Sequence, residues 1–211
     1  TSTGGGLGTT GDWTQTSGTL VLTAASGGTT QGTACEVTFD LTNTAATQTS
    51  PAVSVEAAIS DGSATVVANI AQVAMDKPDT DLFGVSNGAN PLEVLVPALS
   101  AKGVGQSTPG SGETNTITVT LTANYNLAAG STVTISGLTG SQTADAGSLA
   151  VTSTGGDLGT TGAWTQNTGT LVLTAPSSKG TTQGTACEVT FVLTNTASTQ
   201  TSPTVSVEAT I

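Results

Sequence analysis

The side chains that most often carry out chemistry are scarce in this chain. It has no His and no Arg, and its basic side chains are Lys77, Lys102 and Lys179. The lack of His removes the commonest general base and every His-containing catalytic triad. Glu36 and Glu188 could form part of a carboxylate pair, but they hold equivalent positions of a repeated strand and are expected to face solvent. We therefore predict that the protein is not an enzyme and binds no cofactor.

The two cysteines, Cys35 and Cys187, occupy one position in two similar stretches of sequence. Each alternates with Val and Phe, which places it on the apolar face of a strand, where a buried free thiol acts as a small hydrophobic group. A disulfide between them would need the equivalent strands of two modules to come within about 7 Å at their Cα atoms. A buried free thiol is the first expectation, and a bridge to another chain or to another cysteine is the alternative.

A small group of acids, Asp76, Asp79 and Asp81, lies where one domain is expected to end. Oxygen-rich sites of this kind suit calcium, which would stiffen a boundary between modules. The group lacks the spacing and the glycine of a calcium-binding loop, so a polar loop is the preferred interpretation. No metal site is predicted.

Threonine is the most informative polar residue. β-Propensity explains part of its abundance on alternate strand positions. Hydroxyl groups on a weakly charged outer face also suit O-glycosylation, as do Ser or Thr residues before Pro. No Asn-x-Ser/Thr sequon is present, so covalent glycans are expected to be O-linked. The candidate sites are Thr116, Thr118, Thr120, Thr122, Thr132, Thr134, Ser50, Ser202 and Thr108.

The charge balance excludes one large class of partner. The net charge is -11 at pH 7 with only three basic side chains, whereas binding to phosphate backbones depends on Lys and Arg. No nucleic-acid partner is expected. No apolar run approaches the roughly 20 residues of a membrane-spanning helix, so no membrane span is expected either.

An internal repeat organises the whole chain. Residues 1–59 match residues 152–211, with Trp13 aligned to Trp164 and Cys35 to Cys187. One period is therefore about 150 residues, and long tandem arrays are the usual source of such self-similarity. We expect further copies to flank this segment. The predicted domains are 1–91, the C-terminal portion of one repeat, and 92–211, the N-terminal and middle portion of the next.

Short alternating segments separated by turns rich in Gly, Ser and Asn predict an all-β chain. Asp61-Gly62 is expected to form a type I′ turn, since this dipeptide is a strong hairpin signal. The pattern favours tandem immunoglobulin-like β-sandwich modules with an aliphatic core and one Trp per repeat. The predicted strands include Leu20–Leu22, Cys35–Leu41, Val53–Ile59, Thr65–Met75, Leu92–Val96, Thr116–Thr122, Val133–Ile135 and Leu149–Val151. A helix is the alternative for Thr65–Met75, because Ala is plentiful there.

Several segments together resemble a known kind of repeat. Asn115–Leu121, Thr134–Gly140, Trp13–Gln15 and Ser202–Glu208 are similar to tandem Thr-, Ser- and Gly-rich repeats of very large extracellular proteins of algae and other protists. The resemblance implies immunoglobulin-like modules in a secreted, glycosylated fibril or surface protein.

The expected function is therefore structural. We predict a segment of an extracellular filament or cell-surface appendage, O-glycosylated and assembled end to end from β-sandwich repeats, whose partners are neighbouring copies of itself. The alternative is an adhesin or binding module that contacts carbohydrate or ice through its threonine-rich faces.

Overall fold

The computed structural model describes residues 1–63, 65–177 and 179–211. Strands and isolated β-bridges together make up 43% of the described residues, which contain no helix. The all-β prediction is confirmed. The chain divides into two compact units, which are described separately: unit 1 comprises Thr1–Thr44 and Pro51–Asp76, and unit 2 comprises Ala45–Ser50 and Lys77–Ile211.

Unit 2 is built on one large antiparallel sheet of eight strands, nearly closed on itself. The eight strands are β7 Leu99–Gln106, β8 Thr114–Ala123, β9 Thr132–Ser136, β10 Ala146–Thr154, β11 Thr161–Thr165, β12 Thr170–Thr174, β13 Cys187–Thr194 and β14 Ser206–Thr210. They are ordered β14-β9-β12-β11-β10-β13-β8-β7 across the sheet.

Strand β10 connects the two halves of this sheet. Its first half pairs with β11, and its second half, Val151–Thr154, pairs with β13. A single long strand therefore joins the β11-β12-β9-β14 group to the β13-β8-β7 group, and both groups enclose the same core.

The core of unit 2 follows from strict alternation along its strands. In β8, Ile117, Val119 and Leu121 are buried while the threonines between them are partly exposed. Successive side chains of a strand point to opposite faces, so this sequence gives one apolar and one hydroxyl-bearing face. Trp164 and Phe191 fill the centre, each with 2% of its surface exposed.

Unit 1 contains three separate two-stranded antiparallel sheets. Strand β1 (Ser2–Thr3) pairs with β4 (Glu36–Val37), β2 (Gly11–Thr14) with β3 (Thr19–Leu22), and β5 (Ser54–Ser60) with β6 (Val66–Ala74). No larger sheet joins these pairs among the described residues of unit 1.

The connection between β5 and β6 differs from its prediction. The hairpin forms, but Ser60 pairs with Val66 and the Asp61 amide donates to the Thr65 carbonyl, so the loop is longer than two residues. Gly62 has φ +87°, whereas Asp61 is not left-handed, and a type I′ turn needs both. Asp61 instead accepts hydrogen bonds from the backbone and the hydroxyl of Ser63. These bonds, the side-chain one foremost, lower the pKa of the Asp61 carboxyl.

Two further segments depart from the predicted pattern. Leu92–Val96 does not form a strand, because its pairing is limited to one bridge between Val94 and Gln48. Strand β7 was not predicted, since Gly103 and Gly105 interrupt its apolar pattern. One division between the compact units lies at Asp76 and Lys77, and the division does not test the predicted domains 1–91 and 92–211. The immunoglobulin-like sandwich and its repeat boundaries remain predictions.

Candidate functional site

The most distinctive surface of unit 1 is an apolar groove. It has a volume of about 240 Å³ and is formed by the strands β2, β3 and β4 with the residues after β4. We call it the unit 1 groove. Its apolar lining consists of Trp13, Leu20, Leu22, Val37, Phe39 and Leu41.

Three of these lining residues, Trp13, Phe39 and Leu41, are large and exposed, and the other three are partly exposed. Trp13 is 42% exposed and Phe39 is 55% exposed. A contiguous exposed apolar surface on a soluble domain commonly marks an interaction site. The groove therefore has the chemistry of a binding surface for another apolar segment.

The equivalent residues of the second copy form a buried core in unit 2. Trp13 corresponds to Trp164, and Phe39 corresponds to Phe191, both of which are almost completely buried. The strand registers are also the same. Trp13 lies opposite Leu20 just as Trp164 lies opposite Leu171, and Ser2–Val37 repeats the pairing of Ser153 with Val189. The two copies therefore differ in what covers them, not in how their shared strands pair.

Strands β8 and β9 provide that cover in unit 2. Along β13, Cys187 lies opposite Leu121 of β8 and Phe191 opposite Ile117. Strand β9 lies between β12 and β14 and pairs with both. Strand β4 is equivalent to β13, and β3 and β5 are equivalent to β12 and β14. Among the described residues of unit 1, these three strands have no neighbour equivalent to β8 or β9.

Hydrogen bonds extend this relationship to polar groups. The indole N–H of Trp164 donates to the Thr143 carbonyl at 3.0 Å, and the Gln166 side chain donates to the Ser141 carbonyl at 2.9 Å. The Gly184 amide donates to the Ala123 carbonyl at 2.9 Å. All three acceptors lie between residues 114 and 151. The three donors have identical counterparts in unit 1: Trp13, Gln15 and Gly32.

A buried asparagine anchors the end of β8. The side-chain amide of Asn115 donates to the side-chain oxygen of Asn195 at 2.8 Å, and its own oxygen accepts from the Ser107 amide. The Asn195 amide group donates to the carbonyls of Thr108 and Gly110. Sequence reasoning missed this pair, although the identical Asn in the first copy, Asn43, could have signalled it.

The cysteines occupy different environments. Both are free thiols; Cys187 is buried and Cys35 is partly exposed. Burial raises the pKa of the Cys187 thiol, and the carboxylate of Asp157 adds to the rise. A thiol held neutral in an apolar core is a poor nucleophile, so Cys187 acts as a core residue.

Two of the three acids, Asp79 and Asp81, take part in hydrogen bonds within a loop. Asp79 and Asn90 hydrogen-bond to each other, and Asp81 accepts the Asn87 amide, so both acids serve to hold an irregular loop. The described residues contain no group of three or more side chains suited to holding a metal ion. Glu36 and Glu188 are both exposed.

The predicted O-glycosylation residues fall into two groups. Those on β8 and β9 are partly exposed and face away from the core: Thr116, Thr118, Thr120, Thr122, Thr132 and Thr134. Of the residues before Pro, Ser202 is exposed, whereas the Ser50 and Thr108 hydroxyls already donate to the Pro91 carbonyl and the Glu113 carboxylate. The structure does not gather the nine residues into one site.

Some outer threonines align across neighbouring strands. Thr118 lies opposite Thr190, which lies opposite Thr152. A second row joins Thr174 and Thr210 through Thr132. The outer face of unit 2 thus carries short rows of hydroxyl-bearing side chains spaced at the interstrand distance of about 4.8 Å.

Comparison of the chain with models of known protein families, with curated proteins and with solved structures gives no match. Among the described residues, no helix is long and apolar enough to cross a membrane.

Proposed function

We propose that this chain is a structural segment of an extracellular filament or surface appendage, assembled from repeats of one β-sandwich module. The single observation that carries this proposal is the duplicated strand set. Two stretches about 150 residues apart fold with the same strand registers, although their surroundings differ. A module whose local pairing is independent of its neighbours suits a tandem array, where stability is approximately the sum of module and interface terms.

The surface chemistry supports an extracellular role with covalent glycans. The outer faces of β8 and β9 present partly exposed threonines, and few charged groups are available to hold water. O-linked sugars on these hydroxyls would hydrate the outer face without disturbing the buried side chains that alternate with them. Mass spectrometry of proteolytic fragments of native material tests this step: fragments that contain Thr116–Thr134 should be heavier than their polypeptide mass, and the bare polypeptide mass would contradict it.

The threonine rows favour one alternative function. Regularly spaced hydroxyl groups on the outer face of the sheet could contact carbohydrate or ice, as in an adhesin. Glycan-array binding or thermal hysteresis that is lost when Thr118 and Thr190 are replaced by Val would support this alternative over the structural one.

Electron microscopy of native material tests the main proposal. Filaments with an axial repeat of one module are expected. Isolated, monodisperse monomers in native material would overturn the proposal.

A further inference from the structure

We infer that the unit 1 groove binds a strand set with the sequence of residues 114–151, donated by a second copy of this repeat. The inference rests on the proposed function, because it names the partner through which repeats associate. Residues 114–151 are the proposed occupant because, in unit 2, they cover the equivalent face of the second copy.

The apolar side chains of the proposed donated strands match those of the unit 1 groove. If the register of unit 2 is kept, Phe39 would lie opposite Ile117 of the donated β8, and Cys35 opposite its Leu121. The donated β9 would place Ile135 opposite Leu20. In unit 2 the three donated side chains are buried in these pairings, and the same pairings would bury them against unit 1.

The edges of the unit 1 strands also support the inference. In unit 2, β9 joins β12 to β14; in unit 1 the equivalent strands β3 and β5 belong to separate sheets. A donated β9 would join them and would satisfy the backbone groups at both edges. An open strand edge is a ready site for an added strand.

Strand β6 does not block this position. The Val53 carbonyl accepts the Met75 amide and therefore faces β6. In the second copy, Thr204 is the equivalent of the residue that precedes Val53. Its carbonyl lies against Gly137 at the end of β9. Carbonyls of successive residues in a strand point to opposite edges. Strand β6 therefore pairs along one edge of β5, whereas β9 pairs along the opposite edge of the equivalent strand β14. Strand β5 can thus pair with β6 and with a donated β9 at the same time.

Unit 1 retains the polar groups that bond to the covering strands in unit 2, and it has open space where those strands would lie. Trp13, Gln15 and Asn43 keep the residue types that bond to the covering strands or to the end of β8 in unit 2. At Gly169 an added Cβ would collide with the Leu138 backbone, whereas at the equivalent Gly18 it would meet nothing within 4 Å. Unit 1 thus keeps room for a chain that occupies this space in unit 2.

Charge gives the interaction a recognisable signature. The segment 114–151 carries only one ionisable acid, Asp145, and no basic residue. Association with unit 1 therefore depends on apolar burial and strand pairing rather than on ion pairs. We expect raised salt to leave the affinity unchanged or to strengthen it.

The test uses the full chain and a synthetic peptide of residues 114–151. Binding should shift the Trp13 emission to the blue and slow alkylation of the Cys35 thiol by roughly tenfold or more, since both groups become buried. Trp164 and Cys187 are already buried and serve as internal references. Hydrogen exchange should show new protection at residues 35–41.

Two matched controls distinguish specific strand pairing from non-specific hydrophobic association. A peptide with Ile117, Val119 and Leu121 replaced by Thr keeps its strand propensity but should not bind. In the full chain, Phe39→Asp places a charge in the groove and should abolish binding of the native peptide, while residues 187–193 keep their protection.

Two outcomes would overturn the inference. These are no protection of residues 35–41 by the native peptide and equal protection by the Thr-substituted peptide. Peptide binding is measured on single chains and filaments are seen by microscopy, so the inference and the proposed function can fail separately.

Discussion

One set of strands occurs twice in this molecule, and the two copies differ in strand length and in burial. In unit 2 the strand β13 runs from Cys187 to Thr194, but in unit 1 the equivalent strand β4 is limited to Glu36–Val37. The sequences are nearly the same, and in both cases apolar residues alternate with polar ones. Strand length here is set by the neighbouring strand β8 rather than by intrinsic propensity, as expected where β-propensity reflects packing against neighbours.

The comparison also separates local from long-range information. The hairpin β2–β3 keeps its register without a core around it, so turn and local pairing are sufficient to define it. Burial of Trp13 and Phe39 needs residues distant in sequence. The short-range part of the module is thus encoded within the duplicated stretch, and the closed core is not.

The largest expected difference between the copies concerns their Phe residues. Phe191→Ala should destabilise unit 2 by about 3–5 kcal/mol, because the side chain is buried and a cavity would remain. Phe39→Ala is the matched control and should cost less than about 1 kcal/mol, because that side chain is largely exposed. Urea unfolding followed by Trp fluorescence and by circular dichroism would measure both. Equal losses would mean that the two copies are packed alike.

The Asn pair should give the next largest difference. Asn195→Ala leaves the Asn115 amide and two backbone carbonyls without their partner, at a cost of about 1–3 kcal/mol. Asn43→Ala, at the equivalent exposed position, should change the free energy of unfolding by less than about 0.5 kcal/mol. A clear loss on substituting Asn43 would show that unit 1 already contains a partner for it.

Thiol reactivity should sharpen the comparison without any substitution. Cys35 should react with a thiol reagent at least roughly tenfold faster than Cys187, since Cys187 becomes accessible only when the core opens. Mass spectrometry of the alkylated fragments would assign the two rates. Similar rates under native conditions would argue against a closed core in unit 2.

The smallest expected effect is a pH dependence confined to unit 2. Burial raises the pKa of Cys187 above its ordinary value of 9.0. The folded state therefore favours the neutral thiol, and the related stability is fully present below about pH 9 and decreases as the pH rises through the folded-state pKa. The decline should be shallower in Cys187→Ala and unchanged in Cys35→Ala. Identical alkaline profiles for all three proteins would contradict this account.

The sequence predicted the strands that alternate most regularly. Thr116–Thr122 and Val133–Ile135 lie within β8 and β9, because a strict two-residue period defines both strand and face. Leu92–Val96 is equally apolar but pairs at one bridge only, since pairing depends on an available partner. Strand β7 was missed because glycines hide its pattern, and its existence depends on β8.

The candidate site was less accessible to sequence reasoning. The repeat and its Trp, Cys and Phe positions are visible in the sequence. Their exposure in unit 1 is not, because it depends on which strands lie beside them. The threonines could be placed on the outer face by alternation alone, whereas the involvement of Ser50 and Thr108 in loop hydrogen bonds could not.

The most direct test of the central claim is hydrogen exchange on a chain with a second copy of residues 92–151 joined ahead of Thr1. Residues 35–41 should then become as protected as residues 187–193, and the Trp13 emission should match that of a buried indole. Fast exchange at residues 35–41, with residues 187–193 still protected in the same molecule, would contradict the claim that this segment completes the core of unit 1.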